Sequence, residues 1–279
     1  MYEKLSLPSD FTIEDGILVS FSGDSNLVTV PEGVTCILDH AFFRKDHVRR
    51  LTLPDSITEI GTLALYRMTG LSELKLPASL ETIGENACAL LRISELEIPS
   101  GVREIGKKAF SYNHLLKKLT LNEGLTEIRE STFSLCESLT ELTIPSTVKK
   151  IGSFAFSNCR SLKKLTLNEG LEVIENYAFS DGESLTEVVI PSTVKRISSF
   201  AFKGCRRLMK LTIPYGVEYI GFEAFTSSEM LREVEIPSSV KEIHDNAFPD
   251  SKKLTIICDN PKSIPEGWRL GKSIKLKGR

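Results

Sequence analysis

The sequence contains no long uninterrupted hydrophobic run. Its first residues, MYEKLSLPSDF, lack an apolar core of signal-peptide length, and no later run approaches the roughly 20 apolar residues of a membrane-spanning helix. We therefore predict that the chain does not insert into a membrane. As it stands, the sequence predicts a cytoplasmic protein. If a targeting segment has been removed, the cell surface or the secreted space is the alternative.

An excess of charge of one sign is also missing. The 279 residues include 35 Lys and Arg against 37 Asp and Glu, a formal net charge of −2. Dedicated nucleic-acid-binding proteins usually show a basic excess, so we expect no nucleic-acid partner. The remaining composition, 41% hydrophobic and 26% charged, is typical of a soluble folded protein.

Catalytic and cofactor motifs are absent as well. No HExxH, Walker A or GxGxxG pattern occurs. None of the four histidines accompanies a Ser or Cys in the way that nucleophilic catalysis requires, and no CxxC pair is present to hold zinc. We therefore expect no enzyme activity, no cofactor and no metal.

The sequence instead contains an internal repeat. An isoleucine recurs at a constant spacing along the chain, and only the step between Ile83 and Ile105 is shorter, by a single position. Ala stands four positions after this Ile in nine of ten units, and Phe follows that Ala position in eight of ten. The ten isoleucines are Ile37, Ile60, Ile83, Ile105, Ile128, Ile151, Ile174, Ile197, Ile220 and Ile243. Such a period predicts a solenoid in which each unit packs on its neighbours.

The sixth unit illustrates the predicted local structure. Residues 142–144 alternate as a strand with one buried face, and Pro145 ends that strand. Residues 148–151 predict a second, shorter extended segment, and Ala155 with Phe156 favours one tight helical turn. The fold class is therefore an α/β repeat, in which stacked units form continuous ladders of Ile, Phe and Leu.

The two ends of the chain depart from the repeat. Residues 11–21, FTIEDGILVSF, predict a β-hairpin with Asp15 and Gly16 in its turn. We assign residues 1–25 to an N-terminal cap and residues 26–253 to the repeats. Residues 254–279, which contain the single tryptophan Trp268, form an irregular C-terminal cap. All three belong to one continuous solenoid domain.

The repeat resembles a known family. Residues 125–167, LTEIRESTFSLCESLTELTIPSTVKKIGSFAFSNCRSLKKLTL, are similar to the BspA-type (Treponema pallidum-type) leucine-rich repeats, whose consensus is LxxIxxxAFxxCxxLxxLxIPxxV. The likeness covers residues 26–256. It implies a leucine-rich-repeat solenoid that binds proteins, in a family widespread in bacterial surface and secreted proteins and often used in adhesion. A self-assembling structural protein is the alternative, and glycan binding is a weaker one.

A row of aromatic residues is the candidate binding site. Three successive units place an aromatic residue two positions before the core Phe, where other units have polar side chains such as Lys108 and Glu223. The row comprises Phe154, Tyr177 and Phe200, and the next unit adds Phe222, Tyr215 and Tyr219. Exposed rings would form a partner-binding or subunit interface. The alternative is that the rings fold over the turns and pack on one another.

A second candidate surface lies on the main strands. The residues that line one face of the predicted sheet, where leucine-rich repeats commonly bind, are Thr120, Thr143, Thr166, Val189 and Thr212. Charges alternate in sign along two further columns. One column is Lys118, Glu141, Lys164, Glu187, Lys210 and Glu233, and the other is Lys149, Glu172, Lys195, Glu218 and Lys241. Register control by opposite charges about 5 Å apart and duplication of a block of two units both explain this alternation.

Three of the six cysteines occupy one slot of the repeat. Cys136, Cys159 and Cys205 stand where other units have small residues such as Gly182 and Ser228. Free, half-buried thiols fit this pattern, because cysteine packs as a small hydrophobic residue. A bridge between Cys136 and Cys159, from successive units, is the alternative.

Overall fold

The structure is a computed structural model that describes residues 5–249 and 253–259 and the backbone of residues 273–276. The chain divides into two compact units. Unit 1 comprises Met1–Leu125 with Ser131–Leu139, and unit 2 comprises Thr126–Glu130 with Thr140–Arg279. Trp268, predicted in the C-terminal cap, lies outside the described residues.

Unit 1 contains a short 3₁₀ turn, an antiparallel hairpin and short parallel strands. Its elements are the 3₁₀ turn Pro8–Asp10, β1 (Phe11–Glu14), β2 (Ile17–Phe21), β3 (Leu27–Thr29), β4 (Cys36–Ile37), β5 (Arg50–Thr52), β6 (Glu59–Ile60), β7 (Thr82–Ile83), β8 (Glu95–Glu97), β9 (Glu104–Ile105) and β10 (Lys118–Thr120). One sheet has the order β1-β2-β4-β6-β7-β9. Within the unit, β3 pairs with β5 and β8 pairs with β10, both in parallel.

Unit 2 continues the same pattern of parallel strands. Its strands are β11 (Glu127–Ile128), β12 (Glu141–Thr143), β13 (Lys150–Ile151), β14 (Lys164–Thr166), β15 (Val173–Ile174), β16 (Glu187–Val189), β17 (Arg196–Ile197), β18 (Lys210–Thr212), β19 (Tyr219–Ile220), β20 (Glu233–Ile236), β21 (Glu242–Ile243), β22 (Thr255–Cys258) and β23 (Ser273–Leu276). One sheet has the order β11-β13-β15-β17-β19-β21. The remaining strands of the unit pair in parallel as well. β12 pairs with β14, β16 with β18, β20 with β22, and β22 with β23.

The register follows the sequence period, and this confirms the predicted solenoid. Ile174 lies beside Ile197, and Ile197 beside Ile220, always one repeat apart. The core phenylalanines of unit 2 stack in the same way, with Phe156 and Phe179 at a ring-centroid separation of 5.4 Å. Both rings are 1% exposed. Each repeat therefore buries its apolar residues against the next repeat.

The predicted helical turn after each core isoleucine is replaced by tight turns with left-handed residues. Phe154 has φ of 59° and Asn158 has φ of 60°. The main-chain N–H groups of Phe154 and Phe156 donate to Asn176 and Ala178 of the next repeat, at 2.9 and 2.8 Å. The N–H groups of Ala155 and Ser157 donate within the turn, to the carbonyls of Gly152 and Phe154 at 3.2 and 3.1 Å. Bonds within the turn therefore alternate with bonds to the next repeat, and together they satisfy the main chain.

The predicted N-terminal hairpin is confirmed. β1 and β2 pair antiparallel, and Asp15 and Gly16 between them have φ of 47° and 77°. Two successive left-handed residues are the signature of a type I′ turn, whose twist matches that of the flanking strands. β2 then pairs in parallel with β4, which brings Leu18 beside Ile37. The hairpin therefore covers the first edge of the repeat sheet.

All six cysteines are free thiols. Cys36 is half-buried and the other five are buried. Burial raises the pKa of Cys205 to about 12, and it raises the pKa of Cys88 as well. These thiols stay protonated at neutral pH and pack as small hydrophobic side chains.

No helix in the described part of the chain is long and apolar enough to cross a membrane.

A candidate interaction surface on unit 2

The aromatic row forms a continuous stack of rings. The ring centroids of Phe154 and Tyr177 are 4.6 Å apart with an interplanar angle of 5°, and those of Tyr177 and Phe200 are 4.5 Å apart at 11°. The spacing follows from the fold, because adjacent strands of a sheet lie about 4.8 Å apart and carry each repeat position with them. The structure therefore brings the three predicted residues together.

Each residue of the row has a left-handed backbone. Phe154, Tyr177 and Phe200 have φ of 59°, 58° and 61°. This conformation costs about 1–2 kcal/mol for an L-residue, and only Gly, Asn and Asp adopt it routinely. The equivalent Lys108 and Glu223 share it, with φ of 56° and 51°. The left-handed backbone is therefore a property of the turn in each repeat, and it does not require an aromatic side chain.

The three rings of the row are partly exposed. Tyr177 has a parallel ring on each face, so its exposed part is the ring edge. Phe154 is 40% exposed, and Tyr177 and Phe200 are half-buried. The rings therefore pack on one another and still leave a partly exposed apolar surface.

Additional aromatic and basic residues extend the row at one end. Phe222 meets Phe200 edge-on at 5.4 Å, and His244 meets Phe222 edge-on at 6.3 Å. Lys203 places its Nζ 4.9 Å from the Phe200 ring centroid. The guanidinium of Arg196 lies 4.0 Å over the ring of Tyr219, within the range of a cation–π contact.

Sequence reasoning missed the basic partners of these rings. Arg196 stands one full repeat before Tyr219, and His244 stands one position short of a full repeat after Phe222. A search for residues about one repeat apart could therefore have found both. Tyr215 is different. It is 74% exposed in the turn after β18 and makes no ring contact within the described residues, so the structure does not join it to the row.

The residues predicted on the main strands share one exposed face. In unit 2, Thr143 and Thr212 are exposed, Val189 is 52% exposed, and Thr166 is half-buried. In unit 1, Thr120 is exposed at the end of β10. This surface consists of small side chains and offers a partner less apolar area than the aromatic row.

Among the described residues of unit 2, each charge column forms one ion pair. Lys210 Nζ lies 2.5 Å from a carboxylate oxygen of Glu187, and Lys241 Nζ lies 2.5 Å from one of Glu218. The hydrogen bond and positive charge of Lys241 lower the pKa of Glu218. These groups are exposed, so each pair stabilises the fold little. In the described part of the chain, no group of three His, Cys, Asp or Glu side chains is placed to hold a metal ion.

Comparisons with known proteins find similar solved structures. A search of curated proteins finds no significant match. Among solved structures, the chain is similar to a leucine-rich repeat protein from Bacteroides ovatus, with a TM-score of 0.55 and 22% identity over 90% of this chain and 75% of that one. It is also similar to a leucine rich cell surface protein from Faecalibacterium prausnitzii, with a TM-score of 0.49 and 23% identity over 94% of this chain and 90% of that one. A Treponema pallidum leucine rich repeat protein has a TM-score of 0.47 and 25% identity, over 82% of this chain and 91% of that one.

The sequence pattern of the repeat identifies the family. The profile of the BspA type leucine rich repeat region matches residues 12–140 and 126–255, in six copies. These matches cover most of the chain. The chain belongs to the BspA-type leucine-rich-repeat family.

Proposed function

We propose that the protein is a non-enzymatic recognition scaffold, in which the aromatic row of unit 2 binds a partner protein. The observation that carries this proposal is the stack of Phe154, Tyr177 and Phe200 on left-handed residues. The same repeat position holds Lys108, Ser131 and Asn246 elsewhere, all with positive φ. Folding therefore proceeds with polar side chains at this position, and the three rings serve another purpose.

The physical properties of the row favour a protein partner. Aromatic side chains supply large contact areas at a low cost in side-chain entropy, and they dominate the energetics of protein interfaces. Stacking restricts the three rings before a partner arrives, which reduces the ordering cost of binding. The basic groups of Lys203 and Arg196 lie on neighbouring rings and supply polar contacts at the edge of the surface.

The covered faces of Tyr177 argue against glycan stacking at the centre of the row. A sugar stacks on an open aromatic face, and Tyr177 has a ring against each face. The exposed part of Tyr177 is an edge, which fits side chains of a protein better than a pyranose ring.

The test compares two triple variants in binding. The first carries Phe154→Ser, Tyr177→Ser and Phe200→Ser. The control carries Thr143→Ser, Val189→Thr and Thr212→Ser on the strand face. A protein captured by the tagged wild type is identified by mass spectrometry, purified and titrated against wild type and both variants by calorimetry. We expect the aromatic variant to weaken binding at least tenfold, equivalent to about 1.4 kcal/mol, and the strand-face variant to bind as wild type.

Other outcomes would replace the proposal with a specific alternative. Loss of binding in the strand-face variant alone would place the site on the main strands. A wild-type dimer in light scattering that the aromatic variant dissociates would show a self-assembling protein. Circular dichroism and urea unfolding of each variant show whether the fold is retained.

A further inference from the structure

The main sheet of unit 1 is interrupted at one repeat. β3 pairs with β5 and β8 pairs with β10, but the repeat between β5 and β8, at residues 73–75, supplies no strand. Within the described residues, the main-chain groups of Leu74, Lys75 and Leu76 form no hydrogen bond. This interruption coincides with the shortened step of the repeat, since Leu74 and Leu96 are one position closer in sequence than Leu51 and Leu74.

A groove of about 540 Å³ opens at the interruption. Leu74, Leu76 and Leu96 line it and are 7%, 5% and 3% exposed. Exposed charged side chains line it as well, namely Lys75, Glu95, Glu97 and Lys118. The groove therefore combines an apolar base with charged groups.

The main chain of β8 faces this groove with unused hydrogen-bonding groups. Lys118 N–H donates to the carbonyl of Ser94 at 3.3 Å, and Ile98 N–H donates to the carbonyl of Thr120 at 2.9 Å. Because alternate residues of a parallel strand bond to opposite sides, Glu95 and Glu97 direct their N–H and C=O groups away from β10. Within the described residues, the main chains of Glu95 and Glu97 have no partner on that side.

Within the described part of the chain, the charged side chains that line the groove form no ion pairs. Glu95 lies opposite Lys118 in the register, as Glu187 lies opposite Lys210 in unit 2. Glu187 and Lys210 form an ion pair at 2.5 Å, whereas Glu95 and Lys118 form none among the described residues. Glu73 occupies the position of Glu95 in the preceding repeat. The alternation of charge therefore fails here, with two acidic residues in succession.

We propose that this groove accepts an extended segment of a partner protein, which adds as a strand along β8 and carries Lys or Arg level with Glu73 and Glu95. Main-chain hydrogen bonds to Glu95 and Glu97 hold the segment, as in other cases of strand addition. An apolar side chain at the next position of the segment covers Leu74 and Leu96. The basic side chain lies between two carboxylates, where cross-strand pairs of opposite charge are favourable.

The chain itself supplies a suitable probe and its control. Residues 138–145, SLTELTIP, form β12 and its flanks, and they have the alternating pattern that the groove requires. The probe is a fluorescent peptide of this sequence with Glu141→Lys, and the control is the unmodified peptide. We expect the probe to bind about tenfold more tightly than the control, because one change replaces two repulsive cross-strand pairs by attractive ones.

Two protein variants test the position of the peptide. Glu95→Lys in the full chain is expected to weaken the probe about tenfold. Glu187→Lys makes the same change of charge at the same repeat position in unit 2, and it should leave the affinity unchanged. Equal weakening by both variants would mean that the probe responds to net charge, and it would overturn the proposal.

Amide hydrogen exchange tests directly whether the edge of β8 is free to bind another strand. In the free protein, the amides of Glu95 and Glu97 should exchange much faster than those of Lys210 and Thr212, which face the paired strand β16, and saturation with the probe should slow them. Slow exchange of the Glu95 and Glu97 amides in the free protein would mean that these groups are already hydrogen-bonded and that β8 cannot accept another strand. Failure of the probe to bind at millimolar concentration, or equal binding of both peptides, would also contradict the proposal.

Discussion

Unit 2 contains two columns of stacked aromatic rings with the same period and different surroundings. The inner column, which includes Phe156, Phe179 and Phe202, is at most 1% exposed and has ring centroids 5.2–5.4 Å apart. The outer column is the aromatic row, only two positions away in each repeat, with centroids 4.5–4.6 Å apart. The inner rings contact the whole core, whereas the outer rings contact chiefly one another. Because the units stack in register, the residues at any one repeat position form a column of neighbouring side chains. We expect a column to stabilise the fold strongly only where its side chains are buried.

The largest expected effect is the loss of stability on truncating a ring of the inner column, and truncation of a ring of the outer column provides the comparison. Phe179→Ala leaves a cavity in a close-packed core and should lower the free energy of unfolding by about 3–5 kcal/mol. Tyr177→Ala removes a partly exposed ring and should cost about 0.5–1.5 kcal/mol, the energy of an aromatic pair. Urea unfolding followed by circular dichroism measures both values. Equal losses would mean that the outer column is part of the core, and the comparison would fail.

A smaller effect is expected from a buried hydroxyl beside the inner column. Ser228 is fully buried in the slot that Cys205 occupies one repeat earlier, and its Oγ has no hydrogen-bond partner among the described residues. Burying an unsatisfied hydroxyl costs free energy. We therefore expect Ser228→Ala to raise the free energy of unfolding by about 1 kcal/mol.

A second buried serine provides the control for Ser228. The hydroxyl of Ser180 lies 2.8 Å from that of Ser157, and both are buried. Ser180→Ala should therefore destabilise the protein by about 1 kcal/mol. The two Ser→Ala substitutions should shift the urea midpoint in opposite directions, and shifts in the same direction would contradict the assignment of Ser228 as unsatisfied.

The sequence period predicts the inner column better than the outer surface. Ile174, Ile197 and Ile220 lie in register because each repeat buries the same positions, so spacing alone identifies the core. The left-handed turn at Phe154 could not be predicted from spacing, because the main-chain bonds of Phe154 and Phe156 go to the next repeat. The interruption near Leu74 coincides with the shortened step of the repeat, but pairing is also missing between β14 and β16, where the step has its full length.

The weakest expected effect belongs to the exposed charge columns. Lys241 donates a hydrogen bond to Glu218 and lowers the pKa of that carboxyl below its ordinary value of 4.5. A lowered pKa in the folded state means that the pair stabilises the fold above the unfolded-state pKa. This stabilisation is lost as the pH falls through the folded-state pKa.

A double-mutant cycle over Glu218→Gln and Lys241→Gln measures this contribution as a coupling free energy. We expect a small favourable coupling at pH 7 that begins to shrink near the ordinary glutamate pKa of 4.5 and disappears at lower pH. Salt should reduce it at pH 7, because exposed charges are screened over about 3 Å in 1 M salt. A coupling that survives both acid and salt would show a desolvated pair, and the charge columns would then resemble the inner ring column instead of the outer one.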